Sequence, residues 1–437
     1  MLSASETLAD GGAPLDGSLP ADSGARAAYC SGNGPPTLVD TTEGGVVETC
    51  AGQLAQVSFR YALCTCDGYV SDHALTTDAF DSSNGPYDPT HPLQGGSVGT
   101  NGSLDASGAM TVGGSLWASD SSGLTTSAAI AASGELHAQG EVHSGPTLTV
   151  GTDAWTASGL QTSGDVTIVG TLHIPPGAPL SVGGQQSIGA IAMGAVSVPP
   201  ACDCAPADLV DIAGIVASYA GANDDAAAGI DPHLLENVNS VVTGTLPCGR
   251  IFFTRVGGTA PIQLTAEGRV AVFIGGDLST TSDFVIDAPA GSQVDLFVEG
   301  DVTVGGAFQV GDPTNPAQGR TYVGGTGTVN LQGASQMAGN LYAPLAQLVL
   351  GGSAPTTLYG SIFAARLSAA SDLTIHYDEA ILATASGSGC APPTSCQGCR
   401  DCGGQACSSG TCGGCTDSSQ CCAPLVCTGG SCVATIQ

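Results

Sequence analysis

The sequence predicts an all-β protein: a β-solenoid in two blocks, expected to be a right-handed β-helix, with one short helix between the blocks and a small disulfide-rich module at the C-terminal end. Three observations predict this fold. A glycine–apolar repeat has a six-residue period, a second region contains longer repeated strand segments, and eleven cysteines crowd into the last part of the chain. Glycine accounts for 65 of 437 residues and aromatic residues for only 5%, which is typical of many tight turns around small cores.

The N-terminal part of the chain precedes the repeats. Residues 1–36 are rich in Ala, Gly, Ser, Asp and Pro without periodicity, which favours a flexible leader that is either a tether to a surface anchor or a disordered end. Residues 37–94 predict a small β element with disulfides, with a strand over Val57–Leu63. No charged segment followed by an apolar run opens the chain, so an export signal is expected to have been removed or left out of this sequence.

Residues 95–184 contain the six-residue repeat, as in the triplets Gly102–Leu104 and Gly108–Met110. An apolar residue at every sixth position matches neither a helix nor a lone strand. It suits a β-solenoid in which each short strand points one side chain inward and glycine turns the corner, so that three hexads make a coil of about 18 residues. A glycine-rich β-sandwich with chance spacing is the alternative.

The next two segments predict a helical insertion and a second solenoid block. Within residues 185–250, Leu209, Ile212, Val216 and Tyr219 fall at helical spacing after Pro206, which predicts an amphipathic helix that plugs or flanks the solenoid. Residues 251–385 contain two near copies, VAVFIGGDL at 270–278 and VDLFVEGDV at 294–302, whose starts are 24 residues apart. They predict about five longer coils.

The cysteines predict disulfides in an oxidising compartment, because 18 thiols would be a liability in a reducing one. Residues 386–437 have too few aliphatic residues for a core, so bridges are expected to hold this module together. Zinc is the alternative for its C-x2-C pairs, but the module has no histidine. The disulfide candidates are Cys30, Cys50, Cys64, Cys66, Cys202, Cys204, Cys248, Cys390, Cys396, Cys399, Cys402, Cys407, Cys412, Cys415, Cys421, Cys422, Cys427 and Cys432.

The charge of the chain excludes several functions. Eight basic residues against 38 acidic ones give a formal net charge of −30, and none of the basic residues is lysine. Such a chain has few cations to exchange for the counterions of a nucleic acid and is not attracted to an anionic membrane surface. No run of apolar residues is long enough to predict a transmembrane segment.

No catalytic, cofactor-binding or metal-binding residues are predicted. The segment His376–Glu379 has the residue types of acid–base catalysis, but side chains alternate along a strand, so a structural end-cap is favoured. Asp224–Asp225, Asp283 with Asp287, and Asp378–Glu379 offer oxygen ligands for calcium, yet no calcium-binding motif is present and solvated surface is favoured. Trp117 and Trp155 are candidate glycan contacts, because each follows an inward position and is expected to face outward.

Three resemblances accompany these patterns. The hexads GGSV, NGSL, SGAM, GGSL, SGEL, QGEV, SGDV and VGTL resemble those of bactofilins, the polymer-forming bacterial β-helices, although bactofilins lack such cysteines. The segments NLYAPLAQLVL, LYGSIFAARL and LTIHYDEAIL resemble an uncharacterised β-helical domain of exported bacterial proteins, some near type IV pilus components. The tail, with GQACSSGTCGGC and QCCAPLVCTGGSC, is similar to dickkopf-like cysteine-rich modules. Together they imply an extracellular or outer-surface protein of a Gram-negative bacterium.

The expected function is that of a secreted, non-enzymatic structural protein that forms or decorates a cell-surface filament or matrix. Self-association as a homopolymer, or binding to other surface proteins, is expected, because exposed coil edges can stack on another copy. The alternative is a monomeric adhesin or glycan-binding protein. A polysaccharide-acting β-helix enzyme is disfavoured, because no cluster of catalytic carboxylates recurs along the coils.

Overall fold

The computed structural model describes residues 3–4, 23–33, 37–40, 46–49, 51–387, 395–402 and 405–433. Strands account for 47% and helices for 12%, in a β-solenoid of about 13 turns followed by a disulfide-rich stretch, so the predicted fold class is confirmed. Neighbouring strands of a sheet lie about 4.8 Å apart, so about 13 turns make a rod about 60 Å long. Within the described ranges, no helix is long and apolar enough to cross a membrane.

Short elements precede the rod. They are β1 (Ser3–Ala4), α1 (Ser23–Ala28), a π-helical turn (Tyr29–Asn33), β2 (Thr37–Asp40), β3 (Val46–Thr49) and α2 (Ala51–Ser58). The predicted strand over Val57–Leu63 is wrong, since α2 runs to Ser58 and the next strand begins at Leu63. The apolar side chains of this segment pack on the outside of the rod instead: the Phe59 ring lies 5.8 Å from that of Tyr322.

The first solenoid strands come from residues 63–193. They are β4 (Leu63–Ser71), β5 (Leu75–Phe80), β6 (Val98–Thr100), β7 (Ser103–Ala106), β8 (Met110–Val112), β9 (Leu116–Ala118), β10 (Leu124–Thr126), β11 (Ile130–Ala132), β12 (Leu136–Ala138), β13 (Glu141–Ser144), β14 (Thr147–Val150), β15 (Ala154–Thr156), β16 (Gly159–Thr162), β17 (Asp165–Ile174), β18 (Leu180–Val182) and β19 (Gln186–Met193). Every sixth residue points inward as predicted: Leu104, Met110 and Leu116 are each at most 1% exposed.

The corner glycines of this block are needed for space. A Cβ added to Gly102 would lie 2.0 Å from the carbonyl oxygen of Asp67 in the neighbouring coil, and one at Gly108 would lie 2.1 Å from that of His73. At these two corners, successive coils therefore approach so closely that a side chain would push them apart. This close approach explains why the sequence repeat retains glycine.

We expect Gly102→Ala to lower the free energy of unfolding by about 1–3 kcal/mol, the usual cost of overpacking a tight site. Gly221→Ala is the matched control, because a Cβ at Gly221 meets no atom within 4 Å and its backbone is ordinary for an L-residue. Urea unfolding of both variants measures the difference. Equal stability of the two variants would show that the corner at Gly102 accommodates a methyl group without cost, against the overpacking argument.

The second block follows a helical segment. Helix α3 (Ile212–Tyr219) and helix α4 (Asp225–Ala228) precede β20 (Val242–Leu246), β21 (Gly249–Phe253), β22 (Val256–Gly258), β23 (Ile262–Ala266), β24 (Arg269–Ile274), β25 (Leu278–Thr280), β26 (Phe284–Asp287), β27 (Gln293–Val298), β28 (Val302–Val304), β29 (Phe308–Val310), β30 (Gly319–Val323), β31 (Thr328–Leu331), β32 (Gln336–Leu350), β33 (Thr356–Ala369) and β34 (Leu373–Asp378). The two near copies pair in register, Val270 with Val294.

The predicted helix is shorter than its sequence pattern. Pro206 opens a separate 3-10 turn over Pro206–Asp208, and α3 begins only at Ile212, with the Asp211 carboxylate as N-cap accepting from the Gly214 N–H at 2.9 Å. The N-cap is the stronger start signal because it satisfies a backbone donor that proline cannot. Helix α3 buries Ile212, Ile215, Val216 and Tyr219.

The two blocks stack into one rod in an order that differs from the sequence. The last strand of the second block, β34, pairs in parallel with β5, and β33 pairs with β4. The same strands β4 and β5 pair on their other side with β6, β7 and β8. The first strands of the solenoid, β4 and β5, therefore lie in the middle of the rod, and one coil is completed jointly by β34 and β4. The predicted domain boundaries stay a prediction, but residues 63–80 lie inside the rod rather than apart from it.

A small module follows β34 and a 3-10 helix (Glu379–Gly387). It contains 3-10 turns over Cys399–Cys402 and Ser418–Gln420 and the strands β35 (Ala406–Ser408), β36 (Thr411–Gly413), β37 (Val426–Thr428) and β38 (Ser431–Val433). Five disulfides hold it together: Cys396–Cys407, Cys399–Cys422, Cys402–Cys412, Cys415–Cys427 and Cys421–Cys432. Cys50 and Cys390 lie outside the described residues.

Candidate functional site

One outward-facing position is in register along the whole rod, and we call it the outward column. Each coil contributes one residue to it, and adjacent members are strand partners. The column consists of Phe252, Phe273, Phe297, Tyr322, Tyr342, Phe363, Cys64, Gly99, Trp117, His137, Trp155, His173 and Ala192.

In the second block the column is an aromatic ladder beneath helices. The Phe273, Phe297 and Tyr322 rings stack at centroid distances of 5.2 and 4.8 Å. Tyr219 of α3 stacks on the outer side of Phe273 at 4.2 Å, and Phe59 meets Tyr342 edge-on. The outer face of this sheet is therefore a second apolar core between the rod and its covering helices.

In the first block the column alternates tryptophan and histidine. Centroids lie 3.7 Å apart for Trp117 and His137, 4.4 Å for His137 and Trp155, and 4.8 Å for Trp155 and His173. Both faces of Trp155 are thus covered by imidazole rings, and Trp117 is only 8% exposed. A sugar ring stacks on a free aromatic face. A glycan could therefore contact only the ring edges of the half-buried Trp155 and His173 in this ladder. The glycan-contact role of Trp117 and Trp155 stays a prediction.

The two histidines of this ladder were not predicted from the sequence. Their signal is nevertheless present: Trp117, His137, Trp155 and His173 each follow an inward apolar position, at intervals close to one coil length. A search for aromatic or imidazole residues at the coil period, rather than for tryptophan alone, would find them.

A segment of residues 194–211, which we call the strap, runs from the end of β19 back along the rod to α3. It is anchored coil by coil: the Val198 N–H donates to the Gln139 side-chain oxygen at 2.7 Å, and the Ser119 hydroxyl donates to the Pro199 carbonyl at 2.9 Å. Asn101 both donates to the Cys202 carbonyl and accepts from its N–H, at 2.7 and 2.9 Å.

Two parallel disulfides fix the strap to the middle of the rod. Cys202 is bonded to Cys64 and Cys204 to Cys66, so that two C-x-C segments, 138 residues apart, are joined twice. Beyond the bridges, the strap reaches the second block, where the Val210 N–H donates to the Tyr342 hydroxyl at 3.3 Å. The strap therefore connects coils of both blocks.

Buried ion pairs lie on the covered side of the second block. The Arg320 guanidinium donates twice to the Asp295 carboxylate, at 2.5 and 3.0 Å, and once to the Ala317 carbonyl, with both charged side chains 1% exposed. Arg250 likewise donates twice to Asp224, at 3.0 Å each. Such bidentate pairs satisfy the donors that burial would otherwise leave unpaired.

The residues singled out for catalysis or calcium do not converge. The half-buried His376 imidazole contacts Asp78 at 2.7 Å, whereas the buried Tyr377 hydroxyl donates to the Phe59 carbonyl. Asp378 is fully buried and accepts backbone N–H bonds from Ser82 and Ala317. This segment lies in mid-rod against β5, so the expected end-cap is wrong. The three-cysteine groups of the C-terminal module consist of bridged sulfurs, which are not thiolate ligands.

The favoured solvated-surface interpretation is wrong for three of the acidic residues. Asp224, Asp225 and Asp378 are 2%, 6% and 0% exposed. Asp283 is structural as well, since it accepts from the Ala307 N–H of the next coil at 2.8 Å. Burial, with a smaller contribution from the charge of Asp224, raises the pKa of Asp225 to about 6, and burial also raises the pKa of Asp378.

These raised pKa values predict that the fold is more stable at mildly acidic pH than at neutral pH. A carboxyl whose pKa is higher in the folded than in the unfolded chain stabilises the fold when protonated, and that contribution is lost as the pH rises through the folded pKa. From Asp225 alone, we expect the free energy of unfolding to be about 1.4 kcal/mol higher at pH 5 than at pH 7.5. Thermal unfolding across this range measures it, and Asp225→Asn should flatten the profile. An unchanged profile in Asp225→Asn would contradict the assignment.

The two ends of the rod differ. At the end formed by β20, β21 and β22, which we call the capped end, all three free edges have partners: β1 pairs with β20, the Asp224 N–H donates to the Arg250 carbonyl at 2.7 Å, and Val238 bridges to Gly258. Cys30 is bonded to Cys248, and the Arg269 guanidinium lies 4.3 Å above the Tyr29 ring.

At the opposite end, the open end, β18 and β19 pair only with the preceding coil, in strands β16 and β17, among the strands described. Register places Ile191 and Met193 over the inward residues Leu172 and Ile174. The latter are at most 3% exposed, whereas Ile191 is 43% and Met193 73% exposed. The core of the solenoid therefore meets solvent here.

Comparison with known proteins gives one partial match. Residues 211–384 match the model of a family described as a domain of unknown function, DUF7305. This region begins at the N-cap of α3 and ends just after β34, so it spans the capped end and the second block. No curated protein and no solved structure matches the chain. The likenesses to bactofilins, pilus-associated proteins and dickkopf-like modules stay predictions. The disulfides and the β-solenoid suggest an extracellular structural or surface protein.

Proposed function

We propose that the protein is a secreted structural rod of a bacterial cell surface, which forms or decorates a surface filament or matrix and has no enzymatic activity. The observation that carries this proposal is the continuity of the rod. Strands β34 and β5, which are far apart in the sequence, pair where the two blocks meet, and the strap disulfides fix the strap to β4 beside this junction. A rod built in this way resists bending and pulling, which suits a spacer.

Two concave surfaces lie on the described part of the rod. One lies on the outer face of β20, β23, β26 and β29 and is lined by Thr243, Thr265 and Gln309, with Asp287 as its carboxylate. Another, near the strap, is lined mainly by apolar residues such as Leu209 and Leu345. Neither brings together the nucleophile, base and oxyanion donors of a hydrolytic site.

The test has a structural and a cellular part. Electron microscopy of the oxidised protein should show stiff rods about 60 Å long per copy. Antibodies raised against it should label intact, unpermeabilised cells that express the full-length gene, and cells lacking the gene serve as control. Labelling only after permeabilisation would overturn the surface location, and flexible, bent particles would overturn the spacer role.

Glycan adhesion is the second candidate, favoured by the half-buried Trp155 and His173 at the uncovered end of the ladder. Glycan-array binding lost in Trp155→Ala but retained in Trp117→Ala would support it, because Trp117 is buried. Equal binding by both variants and by the unmodified protein would show that the ladder is not the contact.

A further inference from the structure

The open end combines two features that rarely occur together on a soluble protein. Among the described strands, β18 and β19 of the terminal coil have no partner on their outer edges. This coil also exposes Ile191 and Met193 at positions whose equivalents in the preceding coil, Leu172 and Ile174, are buried in the core. Exposed edges of this kind are normally blocked by charge, proline or a covering element, because they pair with other chains. The capped end shows that this chain can supply such a cover where it is needed.

The charge distribution supports contact at this end between copies of the same chain. The whole chain has a formal net charge of −30, yet between Asp165 and Asp203 the sequence contains no Asp, Glu, Lys or Arg. Two copies approaching side by side bring many carboxylates together, whereas the terminal coils of two open ends contain none. The nearest carboxylate is that of Asp165 in the preceding coil, which accepts from the Gln185 N–H at 2.7 Å. Among the described residues, the open end is thus a place where like-charged copies meet with few charges in the contact.

The capped end determines which ends of two copies can meet. Since β20, β21 and β22 already have partners on their free edges, a second copy can pair only with the open end. Contact between two identical ends is isologous and closes with twofold symmetry. The twofold axis reverses the strand direction, so β19 of one copy would run antiparallel to the edge strands of the other.

We propose that the open end is a self-association surface and that two copies join there, open end to open end, as a closed dimer about 120 Å long. Main-chain pairing of β18 and β19 and burial of Ile191 and Met193 hold it together. The proposal names the partner of the structural rod and rests on that function for its biological meaning. A filament would need a second open end, so a closed dimer keeps the part of the proposed function in which the rod decorates a filament or matrix. Binding to a different protein would leave the purified chain monomeric.

The experiment uses the oxidised full chain in analytical ultracentrifugation from 0.1 to 100 µM. The expected result is a species of twice the 42.7 kDa chain mass, with rods of double length in electron microscopy. Met193→Asp and Ile191→Asp should weaken the dimer at least tenfold by placing two like charges in the contact. Val70→Asp is the matched control, because Val70 is 59% exposed in mid-rod, and it should leave the dimer unchanged.

Three results would overturn the proposal: a monomer over the whole concentration range, a mass that grows without limit, or equal weakening by Val70→Asp. Thermal unfolding shows that each variant is folded, so loss of the dimer is separable from loss of the fold. Raising the salt concentration should strengthen the dimer, since it screens the repulsion between the acidic rods. Failure of surface labelling with an intact dimer would overturn the surface function alone.

Discussion

Removing both strap disulfides, with serine at Cys64, Cys66, Cys202 and Cys204, is expected to lower the free energy of unfolding by about 5–7 kcal/mol. Each bridge joins residues 138 positions apart, and closing a loop of that size costs the unfolded chain about 5 kcal/mol of conformational free energy. The second bridge lies two residues from the first, so it closes only a small additional ring. Removing Cys66 and Cys204 alone should therefore cost about 2 kcal/mol.

Urea unfolding followed by tryptophan fluorescence measures this effect, because Trp117 and Trp155 both lie in the first block. Removing the Cys421–Cys432 bridge of the C-terminal module is the control. It constrains a short loop outside the rod and should leave the unfolding of the rod unchanged. Equal and additive losses for the two strap bridges would contradict the loop argument.

Asp295→Ala is expected to lower the free energy of unfolding by about 3–5 kcal/mol, the usual cost of leaving one charge of a buried pair without its partner. Arg320 would keep its bonds to the Ala317 carbonyl and the Gln293 side-chain oxygen, but its charge would stay buried. The double variant Asp295→Leu, Arg320→Met should recover most of the loss, because it removes both charges and fills the space with apolar groups.

Asp67→Ala is the matched control for this prediction. Asp67 faces Arg366 at 3.8 Å, with both side chains about 60% exposed, and an exposed pair contributes less than about 1 kcal/mol. Chemical unfolding of the three variants tests the difference. If Asp295→Ala and Asp67→Ala cost the same, or if the double variant is no better than the single one, burial of the pair does not determine its contribution.

The parts of the fold that were predicted from sequence are those that repeat locally. The inward positions of the hexads follow from side-chain direction in short strands, and the near copies at 270–278 and 294–302 pair in register because they occupy equivalent places in adjacent coils. Helix α3 was predicted from its apolar spacing, although its start was set by the Asp211 cap rather than by Pro206.

The parts that were missed depend on contacts between distant residues. Nothing local to β34 or β4 indicates that they share a coil, because parallel pairing is set by the match of two apolar faces and not by a turn. The burial of Asp224 and Asp378 has the same origin, since each is satisfied by donors from other segments, Arg250 and Ala317. The open and capped ends are likewise properties of the assembled rod.

The shared coil of β34 and β4 has a consequence for how the chain is made. A chain synthesised or exported from its N-terminus delivers β4 and β5 first and their partners β33 and β34 near the end. One edge of β4 and of β5 then has no hydrogen-bond partner while the intervening coils are produced. Pairing of strands that are so far apart in the sequence is slow. The junction of β33 and β34 with β4 and β5 is therefore the last part of the rod to form. A chain that ends before β33 cannot form it.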